Sequence, residues 1–343
     1  MKYIGIDSGK FQTKGASYND ETRDYVTVKF RTKASAGEFR DDMLGAATYL
    51  AEVDGKVYKV GYEARKEAEL ETSKKSEIHK VSTLATIASI LADGHKEKDF
   101  DEAVNVVAGI PYQTCCVVSE RLEYKDYILP KGPITVTVKR TSTEDPIPVT
   151  FHFEKRLVYP ESIGVTYMYP KQLSGVSGIV DIGNLNINNT YCDSFSLIEE
   201  NSFTDEMGGK ILISGLAQQL SSEMGARVSD DLVAKTLMKK KEERFLVATN
   251  GAKGVAEKSK AIIDAYLLEH VEGIKRKCDA RHWPLSFMNI VVIGGTAELL
   301  KYELREVFGE NIFIPERPEF VNVEGFLKKL CADCGVKIDP KKV

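Results

Sequence analysis

An apolar run of strand length ending in Asp-x-Gly occurs twice in this chain, as Tyr3-Ile4-Gly5-Ile6-Asp7-Ser8-Gly9 and as Gly178-Ile179-Val180-Asp181-Ile182-Gly183. In each copy a polar turn leads into a second β-like run, so each reads as a strand, a tight turn and a returning strand. A carboxylate at a strand end can hold a metal through water. The glycine two residues on lets the backbone turn tightly and bring its N–H groups to phosphate oxygens. A single motif of this kind is a common turn. Two copies, opening two halves of a 343-residue chain, predict a duplicated nucleotide-binding unit with the ligand held between the halves.

A chain of this length holds two domains with sizeable cores. Its 47 Lys and Arg against 51 Asp and Glu leave a net charge of −4. There is no basic excess of the kind a nucleic-acid surface shows, so direct DNA binding is disfavoured. The start Met1-Lys2-Tyr3-Ile4 reads as a strand, without the basic segment and apolar stretch of a signal peptide. No run approaches the ~18 apolar residues of a membrane helix. The six cysteines (115, 116, 192, 278, 331 and 334) read as reduced thiols of a cytoplasmic protein. Cys331 and Cys334 form a lone C-x-x-C in a helical tail, with no second pair to complete a zinc site.

Along the first half, Gly15–Tyr18 and Tyr25–Thr32 read as a strand pair around the turn Asn19-Asp20-Glu21. Thr48–Val53 and Val57–Gly61 read as a hairpin on Asp54-Gly55, inside a polar segment, 37–75, that looks like a small insertion rather than core. Helical spacing of Leu84, Ile87, Ala88 and Leu91 predicts a helix over Ser82–Asp93. Val104–Ala108 is an apolar strand stopped by Gly109-Ile110-Pro111, and Ile134–Arg140 and Pro148–Phe153 are β-like. In the second half, Asn189–Cys192 and Ser196–Glu199 pair after the Asp181 strand. A helix then carries Ile211, Leu212, Leu216 and Leu220 on one face, and further helices are expected at 230–240 and 255–278. Phe287–Ile293 is a buried-type strand running into Gly294-Gly295-Thr296 and a helical Ala297–Phe308. Strands alternating with helices predict α/β layers.

The first turn, Ser8-Gly9-Lys10-Phe11-Gln12, can supply donors to phosphates, and Lys14 returns on the next strand to reach them. Taken alone, Lys14 is equally a solvated strand residue. Gly294-Gly295 and Gly208-Gly209, each before a helix, fit close backbone approach to a base or sugar, and each is also an ordinary turn. Glu161, in Val158-Tyr159-Pro160-Glu161-Ser162, is a carboxylate able to orient an attacking water. It equally suits the first turn of a helix.

In chain order, the motifs Asp-x-Gly, Gly-Ile-Pro, Pro-Glu-Ser, Asp-x-Gly, Gly-Gly and Ile-Gly-Gly resemble the actin-like ATPase superfamily, which includes chaperone ATPases and sugar kinases. Within it the chain resembles the bacterial plasmid-segregation actins of the ParM type. Ile6-Asp7-Ser8-Gly9 with Lys14 resembles the first phosphate motif and Ile179–Gly183 the second; Val292–Leu299 resembles the adenosine motif. Gly325-Phe326 is similar to the last hinge segment. The resemblance implies an α/β actin-like fold of two related domains with a nucleotide cleft between them. The first would comprise 1–160, with a variable insertion at 37–75, completed by about 310–343; the second would span 161–309.

It further implies that ATP (or GTP) with Mg²⁺ is held by Asp7, Ser8, Gly9, Lys10, Phe11, Gln12, Lys14, Asp181, Gly183, Asn184, Asn186, Gly208, Gly209, Lys210, Gly294, Gly295 and Thr296. Asp7 and Asp181 would face the metal, and Glu161 and Asp181 would be catalytic. Two departures stand out. Lys10 replaces a small hydroxyl or amide residue near the terminal phosphate. Leu185, in Asn184-Leu185-Asn186, replaces a Gly/Thr-rich turn, which predicts an altered loop and slow or differently tuned hydrolysis.

The implied function is a filament protein that assembles with nucleotide, hydrolyses it and moves plasmid DNA through a DNA-binding adaptor on a centromere, with no membrane partner. A small-molecule kinase on the same scaffold is a second reading, although no extra acidic motif sits beside the phosphate loops to deprotonate an acceptor. A nucleotide-regulated scaffold with little turnover is a third.

Overall fold

The computed structural model of the chain describes residues 1–40, 44–67, 74–93, 101–247, 254–309 and 312–338. Two compact units emerge: Met1–Met168 with Asn322–Val343, and Tyr169–Val321.

The first unit is built on strands β1 (Lys2–Ser8), β2 (Gln12–Asn19), β3 (Tyr25–Arg31), β4 (Lys33–Ala36), β5 (Thr48–Val53), β6 (Lys56–Gly61), β7 (Lys66–Glu67), β8 (Asp101–Ile110), β9 (Ile134–Lys139) and β10 (Ile147–Pro160). They form one sheet in the order β3-β2-β1-β8-β10-β9-β5-β6-β4-β7. β1, β8 and β10 run parallel, with Ile6 beside Ala108 and Ile110 beside Pro160. Their C-terminal ends therefore lie side by side, the place where open α/β sheets bind ligands. Helix α1 (Glu77–Leu91) is capped by Ser76, whose hydroxyl accepts from the His79 N–H. It is buried on every face, as expected of a helix inside a core rather than on its surface. Short α2 (Tyr112–Cys116), α3 (Val118–Ile128) and α4 (Gly164–Met168) complete the unit before the chain leaves it.

Two expectations are corrected here. The helix over Ser82–Asp93 begins at Glu77, where its cap lies. Within 37–75, the hairpin β5–β6 is not an appendage: Leu50, Ala51, Val53 and Val60 are buried. Alternation along a half-covered strand makes such a segment look polar while one face packs inward.

The second unit contains β11 (Val176–Ile182), β12 (Ile187–Asp193), β13 (Ser196–Asp205), β14 (Asn289–Ile293) and β15 (Ile312–Phe313) in the order β13-β12-β11-β14-β15. This repeats the first sheet's β3-β2-β1-β8-β10: an antiparallel meander followed by two parallel strands. Helices α5 (Gly209–Met224), α6 (Asp230–Leu237), α7 (Val255–Ala280) and α8 (Lys301–Phe308) pack with it. On α5, Leu212, Leu216 and Leu220 are buried, four residues apart on one face, whereas Ile211 is exposed. The strand expected from Phe287 starts at Asn289, and Phe287 is 91% exposed in a turn on Pro284. Residues before Lys301 form turns rather than helix.

The final helix, α9 (Val321–Asp333), returns to the first unit. A Cβ on Gly5 would lie 2.7 Å from the Val323 carbonyl, and one on Gly325 would lie 2.1 Å from that of Gly164. Glycine thus lets α9 rest directly on β1 and on the start of α4. Among the described residues no helix is long and apolar enough to cross a membrane.

Candidate functional site

In the first unit, β1 and β2 pair so that Asp7 lies opposite Lys14 and Ser8 opposite Thr13. The turn closes on backbone alone: the Gly9 N–H donates to the Gln12 carbonyl at 3.0 Å. A Cβ at Gly9 would stand 2.8 Å from that oxygen, so glycine is required by close approach. Asp7 is 7% exposed, and the Lys14 ammonium lies 3.7 Å from its carboxylate.

A ladder of hydroxyls holds the loop from behind. Thr32 donates to the Gly9 carbonyl at 2.6 Å, and Thr13 and Thr32 lie 2.9 Å apart, with Ser8 3.3 Å from Thr13. Because Thr32 spends its proton on Gly9, Thr13 must donate to Thr32 and Ser8 to Thr13. The Ser8 hydroxyl is therefore turned inward, and Ser8 serves the loop more than a ligand. The Arg31 guanidinium stacks over the Phe11 ring at 3.5 Å, and the Thr32 N–H donates to the Phe11 carbonyl. Thr32 and Arg31 escaped the sequence reading, since their contact with the turn depends on the pairing of β2 with β3.

Glu161 stands at the end of β10, its N–H donating to the Ile110 carbonyl at 2.9 Å. Its carboxylate makes an ion pair with Lys74. Lys10, from the loop tip, feels both: burial lowers its pKa, Lys74 lowers it further, and Glu161 opposes. His79 is pushed down to about 3 by burial, then by Lys74 and Lys10, and so is neutral at ordinary pH. The buried Tyr124 donates to the Gly109 carbonyl at 2.9 Å. Its pKa is raised by burial and then by the charges of Glu161 and Asp7.

The second unit repeats the loop. Asp181 pairs with Asn188, and Ile182 with Ile187. The Gly183 N–H donates to the Asn186 carbonyl at 2.9 Å, and a Cβ on Gly183 would stand 2.9 Å from that oxygen. Asn184-Leu185 thus occupies the place of Lys10-Phe11. The turn with Leu185 closes through the same backbone bond as the first loop, with a bulky residue at this point in both copies.

Gly208-Gly209 and Gly294-Gly295-Thr296 gather around this second loop. The Gly209 N–H donates to the Gly183 carbonyl at 3.0 Å, and that of Lys210 to the Asn184 carbonyl at 2.7 Å. The Thr296 N–H donates to the Ile182 carbonyl, and its hydroxyl to that of Gly183 at 2.9 Å. A Cβ on Gly208 would stand 2.5 Å from the Leu185 backbone. The Gly208 pair, expected to approach a base or sugar, here braces the loop and the start of α5. The Lys210 side chain is exposed beside it.

Each aspartate faces a glycine at the end of the neighbouring parallel strand. A Cβ on Gly109 would come 3.7 Å from Asp7 Oδ1, and one on Gly294 would come 2.6 Å from Asp181 Oδ1. Both carboxylates therefore pack close to a glycine of the neighbouring strand, Asp181 so closely that a Cβ at Gly294 would clash with it. Carboxylate oxygens suit Mg²⁺, which keeps much of its hydration shell. Among the described residues no three His, Cys, Asp or Glu form a metal cluster.

Gly294 has φ of +96°, and a Cβ there would stand 2.4 Å from the Ile182 carbonyl. Gly294→Ala is expected to cost about 3 kcal/mol or more of stability, from strain plus a backbone clash. Gly55→Ala is the control: φ is +74° with nothing within 4 Å, so the expected cost is only about 1 kcal/mol. Urea denaturation checks both, and equal losses would show that the second loop relaxes freely.

Residues 5–164 match the family described as actin like proteins, N terminal domain. No curated protein matches the chain by sequence. Among solved structures it is similar to the Alp12 filament, with 22% identity over 97% of this chain and 99% of that one, at a TM-score of 0.71. An archaeal actin homolog in complex with ADP is 16% identical over 96% and 99%, at 0.67. A 15-stranded ParM filament from Clostridium botulinum gives the same figures, 16%, 96%, 99% and 0.67.

Proposed function

We propose that this chain, whose residues 5–164 match the N-terminal domain family of actin like proteins, binds ATP or GTP with Mg²⁺ and polymerises into filaments that hydrolyse the nucleotide. The observation that carries this reading is the twin loop, Asp-x-Gly closed by a glycine N–H in both units. One such turn is commonplace. Two on a repeated sheet, each with its carboxylate beside a glycine of the neighbouring strand, would form a pair of phosphate and metal sites.

Asp7 and Asp181 would hold Mg²⁺ through water, and the ion would neutralise phosphate charge. Lys14, kept beside Asp7 by the pairing of β1 with β2, supplies a cation to the phosphates. The backbone of 9–12 and 183–186 brings amide groups close, and Gly294–Thr296 borders the sugar and base. Glu161 positions the attacking water. The similarity to filament structures supports self-association, and with the ParM resemblance it supports plasmid DNA segregation through a DNA-binding adaptor.

Asp7→Ala is expected to weaken nucleotide binding at least ~10-fold in Mg²⁺, while in EDTA the change stays within ~2-fold, since a water-mediated carboxylate acts through the metal. Calorimetric titration in the two buffers tests this. Equal loss in both removes the metal role. Light scattering with ATP or GTP tests assembly, and phosphate release separates a hydrolysing filament from a static scaffold.

A further inference from the structure

The C-x-x-C of the sequence lies in the last turn of α9 and plays no part in the nucleotide reading. Three backbone bonds fix that turn: the Cys334 N–H donates to the Leu330 carbonyl at 3.1 Å, Gly335 to Ala332 at 3.0 Å and Val336 to Cys331 at 2.8 Å. Gly335 takes φ +74°, the left-handed setting that closes a helix in this way. Cys331 and Cys334 therefore stand one helical turn apart, their Cα atoms about 5 Å from each other. A disulfide spans that separation. Neither is bridged; Cys331 is fully buried and Cys334 half-buried.

The sheet beneath supplies a cation. Tyr3 of β1, Asn105 of β8 and Lys155 of β10 form one row across the parallel strands. The row shares its face with Gly5, whose missing Cβ admits Val323 and Leu327 of α9. Lys155 joins the row through a bulge: Phe153 lies beside Val104 but Lys155 beside Asn105, so Glu154 is extra. Without that residue, position 155 would share the face of Phe151 and Phe153, which pack in the core around α1. The bulge turns Lys155 towards α9, where its ammonium donates to Cys334 Sγ at 3.5 Å. The neighbouring Asp333 carboxylate is engaged by Tyr159 and Lys329. A half-buried thiol beside an ammonium, with a second thiol one turn away, is the setting of a reactive cysteine pair.

We propose that Cys331 and Cys334 form a thiol–disulfide exchange site whose co-reactant is a small disulfide of the glutathione type, with Lys155 as the positioning residue for Cys334. Cys334 reacts first, since solvent reaches it. Its sulfur gives up its proton, attacks one sulfur of the small disulfide and releases one glutathione thiol. The Cys331 sulfur then gives up its proton, attacks Cys334 Sγ and releases the second. The two cysteines lose two electrons and two protons, and the small disulfide becomes two thiols. Burial pushes Cys331 up to about 12, so it is a thiol at neutral pH and acts second.

The test incubates the purified full chain in mixtures of reduced and oxidised glutathione, quenches in acid, alkylates the remaining thiols and measures the mass of the peptide carrying 331–334. A reversible loss of two hydrogens is expected, its extent following the glutathione ratio. Cys331→Ser should stop at a mixed disulfide on Cys334, and Cys334→Ser should leave Cys331 unmodified. Lys155→Met should slow the mixed disulfide roughly 3- to 10-fold, and Lys155→Arg should restore the rate. If Cys331→Ser does not fold, quenching the wild-type chain early should trap the same mixed disulfide. A peptide that stays reduced in excess oxidised glutathione overturns the proposal, as does an adduct that never closes. An unchanged rate in Lys155→Met overturns the part given to Lys155. The experiment needs no nucleotide, so its failure is distinct from a failure of the filament reading.

Discussion

Glu161→Gln is expected to slow phosphate release by about 10²-fold or more, the scale of general acid–base contributions, while filaments still assemble and last longer. The backbone of Glu161 is fixed at the end of β10 by its bond to Ile110, and Ser162 follows at φ +70°. The residue thus stands at the end of β10, with β8 between it and the strand that carries Asp7. Glutamine keeps its shape and removes its ability to accept a proton. Alanine is the poorer test, because it also removes the acceptor of the largely buried Lys74 ammonium. Breaking a buried pair from one side costs about 3–5 kcal/mol, and here somewhat less, since the Glu161 side chain is 19% exposed. Single-turnover phosphate release, read alongside filament sedimentation, measures the effect. Unchanged turnover would remove Glu161 from the reaction.

Assembly is expected to collapse when either of two exposed apolar sites is made acidic. Actin-like subunits associate head to tail, a contact between unlike surfaces that does not close. The segments 37–75 and 230–278 are the proposed contacts. The structure shows Tyr62 at 62% exposure in the first, and Met238 at 78% and Val247 at 73% in the second. Such side chains make strong anchors once covered. Tyr62→Asp or Met238→Asp should raise the critical concentration roughly 30-fold or more, given ~2 kcal/mol for an anchor, with nucleotide binding unchanged. Each variant retains one intact surface. If the two sites meet each other, an equal mixture of the variants should form a capped dimer and stop there. Wild-type chain should assemble at far lower concentration with ATP than with ADP. A wild-type chain that stays monomeric with nucleotide at tens of micromolar, roughly a range that detects weak contacts, ends the filament reading and favours the small-molecule kinase.

The strand-turn-strand hairpins were readable because their determinants are local: an apolar run, an acid and a glycine within seven residues of sequence. The same holds for α5 and α7, whose buried leucines and isoleucines recur at helical spacing. What was not readable depends on partners distant in sequence. Lys74 meets Glu161 across 87 residues, and Thr32 meets Gly9 across 23. Neither pairing leaves a trace in either segment alone. α3 was missed for a different reason: only Tyr124 and Ile128 are buried on it, too few to impose a period. The 48–61 hairpin was recognised as a hairpin yet discounted as an insertion, since its outward residues mask the inward ones. Burial of α1 on all sides was also hidden. Its Ser82, Thr83, Thr86 and Ser89 look like a polar face, yet all four are buried, and Thr86 satisfies itself on the Ser82 carbonyl.

Because each loop is tied shut by a glycine amide and a carbonyl three residues on, the pair of side chains at its tip carries none of the closure. Lys10-Phe11 and Asn184-Leu185 are in that sense interchangeable cassettes on a common frame. The first tip is cationic and the second neutral. An anion would therefore meet a side-chain charge at one turn and only amide dipoles at the other, although the two turns trace the same path.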